Sequence, residues 1–161
     1  MEKKLEFHEK PYLKRQLVKV KIINKSHHPL PEYKTPGSVG MDLRAFLKEP
    51  IDLGSLERRL ISTGLFIELP QGYEAQIRPR SGMSIKHGIS LINAVGTIDS
   101  DYRGELLIAI VNLSTENYTL HDGERIAQLV IAKTQRADWE EVQELEESLR
   151  GEGGFGSTGK L

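Results

Sequence analysis

The sequence predicts an all-β protein, a many-stranded antiparallel fold, and three observations carry that expectation. Apolar and polar residues alternate with a period of two at Val18/Val20/Ile22 against Lys19/Lys21, and at Tyr73/Ala75/Ile77 against Glu74/Gln76/Arg78. Glycine and proline punctuation recurs along the chain, at Gly54, Pro70-Gln71-Gly72, Ser81-Gly82, Gly88, Gly96 and Gly104, marking many short strands. Helical periodicity is almost absent. With 161 residues the chain has the size of one domain around a single core.

Taken in order, residues 1–16 form an N-terminal extension within a basic stretch. Residues 1–25 hold eight Lys or Arg against three Glu. The first alternating segment follows, and then a proline-rich loop over residues 24–40 with Pro29, Pro31, Pro36, Gly37 and Gly40. Asp42 stands between apolar neighbours in Gly40-Met41-Asp42-Leu43, where a carboxylate needs partners. Leu65–Leu69 and Tyr73–Ile77, separated by Pro70-Gln71-Gly72, read as a hairpin. The run Leu106–Val111 lacks alternation, so both its faces should be covered, as in a central strand. Asp122-Gly123 marks a turn between Tyr118–His121 and Arg125–Ala132. An acidic segment from Asp138 carries Val142, Leu145 and Leu149, which suits either a short helix or an extended arm, with Trp139 as a packing anchor.

Composition excludes several function classes. The 22 basic residues nearly balance 23 acidic ones, so no global positive field exists to drive binding to nucleic acid or membranes. Zero cysteines remove disulfides, thiolate metal sites and cysteine nucleophiles, which fits a reducing, cytoplasmic setting. No apolar run approaches the length of a bilayer span. The opposite charges of the two termini read either as solvated ends or as head-to-tail attraction between subunits. The five histidines show no metal-ligand spacing and receive no chemistry.

Three polar clusters remain. Arg78-Pro79-Arg80-Ser81-Gly82-Met83-Ser84 offers a guanidinium, hydroxyls and backbone amides beyond a strand: an anion cradle, or else an ordinary charged loop. Asn93 to Gly104 contains Asp99 and Asp101 one residue apart with Tyr102 beside them, suited either to a general base or to an acidic turn. The last eleven residues hold five of the fifteen glycines, together with Phe155, Ser157 and Thr158, and Arg150 stands just before them. Gly151/Gly153/Gly156 imitates a dinucleotide fingerprint and Gly154–Lys160 a P-loop. Neither has a following helix, so both matches are accidental. A glycine arm that closes over a phosphorylated nucleoside competes there with a loose tail.

Taken together, five segments resemble, in order, the motifs of the trimeric dUTPase family. They are Gly40-Met41-Asp42-Leu43-Arg44-Ala45, Pro79-Arg80-Ser81-Gly82, Gly96-Thr97-Ile98-Asp99-Ser100-Asp101-Tyr102-Arg103-Gly104, Gly123-Glu124-Arg125-Ile126-Ala127-Gln128-Leu129 and Arg150-Gly151-Glu152-Gly153-Gly154-Phe155-Gly156-Ser157-Thr158-Gly159. The resemblance implies a jelly-roll-like β-clip barrel over residues 17–136 and a C-terminal arm over 137–161. It further implies a homotrimer whose active sites are shared among chains. The implied activity is dUTP diphosphatase: dUTP becomes dUMP and pyrophosphate, which supplies the dTMP precursor and keeps uracil out of DNA.

By the same resemblance, Asp99 is the general base for water attack on the α-phosphorus, and Arg80, Ser81, Gly82 and Gln128 hold phosphates. Asn93, Gly96, Thr97 and Ile98 read uracil, while Tyr102 packs under the deoxyribose. Arg150 closes on the γ-phosphate side, Phe155 stacks on the base, and Gly156 and Ser157 complete the substrate contacts. Mg²⁺ is carried by the triphosphate and water without a direct protein ligand. Asp42 serves either a metal-bound water or the architecture of the site.

Overall fold

The computed structural model describes residues 17–154. Eleven strands and one short helix follow in the order β1 (Lys21–Asn24), β2 (Met41–Arg44), β3 (Ile51–Leu53), β4 (Arg58–Ile61), β5 (Leu65–Glu68), β6 (Tyr73–Pro79), α1 (Ser81–His87), β7 (Ile89–Leu91), β8 (Gly96–Ile98), β9 (Ile108–Asn112), β10 (Tyr118–Leu120) and β11 (Arg125–Lys133). All strand pairings are antiparallel, in a four-stranded sheet β2-β11-β6-β8, a three-stranded sheet β4-β9-β7 and the pairs β1-β5 and β10-β3. This is the all-β fold expected.

Alternation translates directly into packing. In β6, Ala75 and Ile77 are buried while their neighbours are not, and β5 alternates in the same way with Leu65 and Ile67 inward. The unalternating run forms β9, flanked on both sides by β4 and β7, with Ile108, Ile110, Val111 and Asn112 buried. Leu43, Leu53, Ile61, Leu120 and Ile126 from different strands, with Leu106 just ahead of β9, fill one continuous core. Burying each such side chain contributes roughly 1.5–3 kcal/mol.

Three expectations fail. The Pro70-Gln71-Gly72 reversal does not close a hairpin: β5 pairs with β1, and β6 pairs with β11 and β8, so the turn carries the chain from one sheet to another. Turn chemistry specifies a reversal of direction but not the partner of the next strand. The Ser81-Gly82 punctuation opens the helix α1, which buries only Met83 and therefore leaves no apolar stripe in the sequence. Its stop is visible in hindsight: Lys86 and His87 in the last turn, then Gly88 at φ 67°, whose N–H bonds the carbonyls of Met83 and Ser84. Finally, Trp139 is 91% exposed and anchors nothing among the described residues. The acidic segment around it forms no helix, so the extended alternative holds for the residues described.

Candidate active site

The four-stranded sheet collects the polar clusters. β2 presents Asp42 directly opposite Gln128 of β11, and β11 pairs in turn with β6, which ends beside Arg80. Arg80 remains extended (φ −94°, ψ 127°) before α1 begins. Its Nε donates to Asp42 Oδ1 at 2.9 Å and its Nη1 to the Arg125 carbonyl at 2.8 Å. Arg125 Nη1 reaches Asp42 Oδ2 at 3.0 Å, and Gln128 Nε2 lies 3.4 Å from Oδ1. Both oxygens of Asp42, whose side chain is 13% exposed, are therefore taken by cationic or amide donors. Gly40 completes the packing, since a Cβ there would stand 3.3 Å from Gln128 Oε1.

Two guanidinium groups on one carboxylate leave this corner cationic, with donors in excess of protein acceptors. Ser81 and Gly82 occupy the exposed first turn of α1, where backbone N–H groups have no intrahelical partner. A Cβ at Gly82 would meet nothing within 4 Å, so the space beside it is open. Ser81 and Gly82 thus adjoin Arg80, and Gln128 sits with Asp42. Arg125 belongs to the same cluster and was not singled out from sequence. Its only signal there is its place in Gly123-Glu124-Arg125-Ile126-Ala127-Gln128.

The second group lies on β8, at the edge of the same sheet. Gly96 is buried, and a Cβ on it would crowd Asn93 Nδ2 at 3.3 Å and Ile77 Cβ at 3.4 Å. The glycine lets the exposed Asn93 fold back against the strand. Thr97 is exposed and Ile98 half-buried. Beyond the strand, the Asp99 carbonyl accepts the Tyr102 N–H at 3.2 Å, and Arg103 Nη1 bonds the carbonyls of Ser100 and Tyr102 at 2.7 and 2.9 Å. This turn leaves the Asp99 side chain exposed, with no hydrogen-bond partner among the described residues. The Tyr102 hydroxyl donates to the Glu105 carbonyl at 3.0 Å, and its ring fills the place of a Gly104 side chain.

Within one chain, Asp99 and Arg80 diverge along the sheet. Ile98 pairs with Ala75, and β8 runs antiparallel to β6, so Asp99 continues away from the Arg80 end. Arg80 is five residues beyond Ala75, roughly 16 Å along an extended strand. Arg150 is exposed and folds on itself, Nε donating to the Gly153 carbonyl at 2.6 Å. Phe155, Gly156 and Ser157 lie outside the described residues, as does the N-terminal extension 1–16.

Comparison with known proteins places the chain in a family. The family model for dUTPase matches residues 26–159. The deoxyuridine 5'-triphosphate nucleotidohydrolase of Finegoldia magna is 61% identical over 142 residues, covering 88% of this chain and 99% of the relative. That of Cytophaga hutchinsonii is 59% identical over 141 residues, covering 88% and 92%. Among solved structures, a G164S mutant of the Staphylococcus bacteriophage 80alpha dUTPase with dUpNHpp superposes with a TM-score of 0.78 at 29% identity, covering 88% of this chain and 98% of the phage chain. The cradle on β2, β6 and β11, the polar segment around β8 and a family match across most of the sequence lead to one conclusion: the chain belongs to the dUTPase family.

Proposed function

We propose that the chain is a Mg²⁺-assisted dUTP diphosphatase that acts as a cytoplasmic homotrimer, yielding dUMP for dTMP synthesis and removing dUTP from the DNA precursor pool. The observation that carries the reading is the cationic cradle, in which Arg80 is clamped at Nε and Nη1 and retains Nη2 for an anion. A guanidinium held on two sides meets phosphate with little ordering entropy left to lose. Ser81 and Gly82 add amides and a hydroxyl to the phosphates, and Gln128 adds its carboxamide.

In the reaction, the Asp99 carboxylate accepts a proton from a water aimed at the α-phosphorus. The new P–O bond forms in line as the bond to the bridging oxygen breaks, and pyrophosphate leaves. Asn93 with the backbone of Gly96, Thr97 and Ile98 pairs the uracil edge, and the tight segment leading into β8 leaves no room for a 5-methyl group. Tyr102 packs under the sugar and excludes a 2′-hydroxyl. The arm, residues 137–161, brings Arg150 to the γ-phosphate side, Phe155 over the base, and Gly156 and Ser157 alongside, shielding the site from water.

The residues present fit a Mg²⁺ bound through the nucleotide: both oxygens of Asp42 are engaged by arginine, and magnesium keeps most of its waters. Bound with the triphosphate, the ion neutralises charge and fixes its shape. Asp42 then acts on the architecture of the cradle by orienting Arg80. The distance between Asp99 and Arg80 along the sheet exceeds what one triphosphate spans, which supports sites assembled from different chains. Among the described residues, no helix is long and apolar enough to cross a membrane, in keeping with the proposed location.

The test is pyrophosphate release from dUTP, dTTP, dCTP and UTP side by side, with Mg²⁺ and with EDTA. Release from dUTP alone, lost in EDTA, is expected. Asp99→Asn should retain dUTP binding and lose on the order of 10²–10⁴ in turnover. Unchanged turnover would remove Asp99 as the base.

A further inference from the structure

The bend after β1 and the turn between β10 and β11 bring together three donors that the proposed hydrolysis does not use. His27 Nε2 lies 2.7 Å from Asp122 Oδ2, and His28 Nε2 lies 3.0 Å from Asp122 Oδ1. Ligand atoms from all three residues fall within 4.8 Å of one another. Neighbouring residues on an extended strand point to opposite faces. These two histidines converge because the chain is knotted locally. Asn24 Oδ1 accepts from both the Ser26 N–H and its hydroxyl, the Ser26 hydroxyl accepts the His28 N–H, and Asn24 Nδ2 donates to the His28 carbonyl.

Asp122 is held from the other side by the Leu47 N–H at 2.8 Å to Oδ1. Gly123 abuts the His28 ring, where a Cβ would stand 3.1 Å from Cε1, and the Phe46 ring meets both imidazoles edge-on.

We propose that His27, His28 and Asp122 form a binding site for a first-row transition-metal dication, Zn²⁺ being the best match, through two imidazole nitrogens and one carboxylate oxygen. Zinc bonds of about 2.0–2.2 Å set tetrahedral donors about 3.3 Å apart, so the His–Asp spacings of 2.7 and 3.0 Å need to open only slightly to admit the ion. Water takes the remaining position. Each neutral ring coordinates through Nε2 and carries its proton on Nδ1 instead. Magnesium is a poor occupant because it prefers all-oxygen octahedra, so this site is chemically distinct from the nucleotide's ion. An ion here ties the segment leading to β2 to the turn leading into β11, the two strands that position Asp42 and Gln128.

The full chain, stripped with chelator and free of nucleotide, is titrated with Zn²⁺ and with Co²⁺ by calorimetry and visible absorption. One equivalent should bind, with a low-symmetry Co²⁺ visible band and a rise in thermal midpoint, while excess Mg²⁺ should not compete. His27→Gln and His28→Gln should each weaken Zn²⁺ at least tenfold, the lower bound set by losses of supporting ligand contacts. Asp122→Asn, which keeps an acceptor for Leu47, should weaken it likewise. Circular dichroism confirms that each variant is folded. No saturable binding, or binding undiminished in the folded histidine variants, overturns the proposal.

Discussion

Gly104 illustrates how one residue conditions the site without touching substrate. A Cβ there would lie 2.2 Å from Tyr102 Oη and 2.4 Å from Cζ, so any side chain expels the ring and breaks its bond to the Glu105 carbonyl. If Tyr102 packs under deoxyribose, Gly104→Ala should lower kcat/KM for dUTP by about tenfold or more, equivalent to about 1.4 kcal/mol, and should narrow the preference over UTP. Kinetics on both nucleotides check this, with Tyr102→Phe as the control that removes only the hydroxyl. A variant with wild-type selectivity would separate Tyr102 from sugar recognition. At this scale the sequence was informative wherever a residue type is chemically rare in its setting, as with Asp42 among apolar neighbours. It was silent where function depends on convergence: the Arg125 bond to Asp42 joins positions 83 residues apart, and His27 meets Asp122 across 95.

At the scale of elements, legibility followed burial. Strands with one buried face, β5 and β6, show themselves by alternation, and the doubly covered β9 by its lack of it. Which strand pairs with which has no local signature, and so β5 and β6 looked like a hairpin when they belong to different sheets. The helix α1 was invisible for lack of an apolar face, yet it depends on a single position. Gly88 stops it in the left-handed region, with a Cβ there 2.8 Å from both the backbone N and Cβ of Ser114. Gly88→Ala should therefore destabilise the fold by about 2 kcal/mol, combining the left-handed penalty with the clash. The expected readout is a lower urea midpoint with unchanged slope, at fixed protein concentration because assembly contributes to the midpoint. An unshifted midpoint would mean that the α1–β7 junction relaxes freely.

For the whole molecule, the surface of the described residues bears on assembly. It leaves Trp139 and Leu145 at 91% and 88% exposure, and carries an open, mostly apolar groove of about 880 Å³ lined by Val18, Val20, Leu30, Val39, Ile67 and Ile131. Apolar surface of that extent is costly in water and is commonly covered by a partner. The register of β8 on β6 makes the same point through chemistry, since Asp99 and Arg80 diverge along the sheet. If sites are shared, an Asp99→Asn chain and an Arg80→Ala chain, each inactive alone, should complement when unfolded together and reassembled. In a randomly mixed cyclic assembly, a site takes its base from one chain and its cradle from another, so about one quarter of sites draw both intact. Recovery of pyrophosphate release towards that fraction, in particles sedimenting at three times the 18.1 kDa chain mass, is the expected result. If each site instead lay within one chain, every site would lack one group, and the mixture would stay as inactive as its parents.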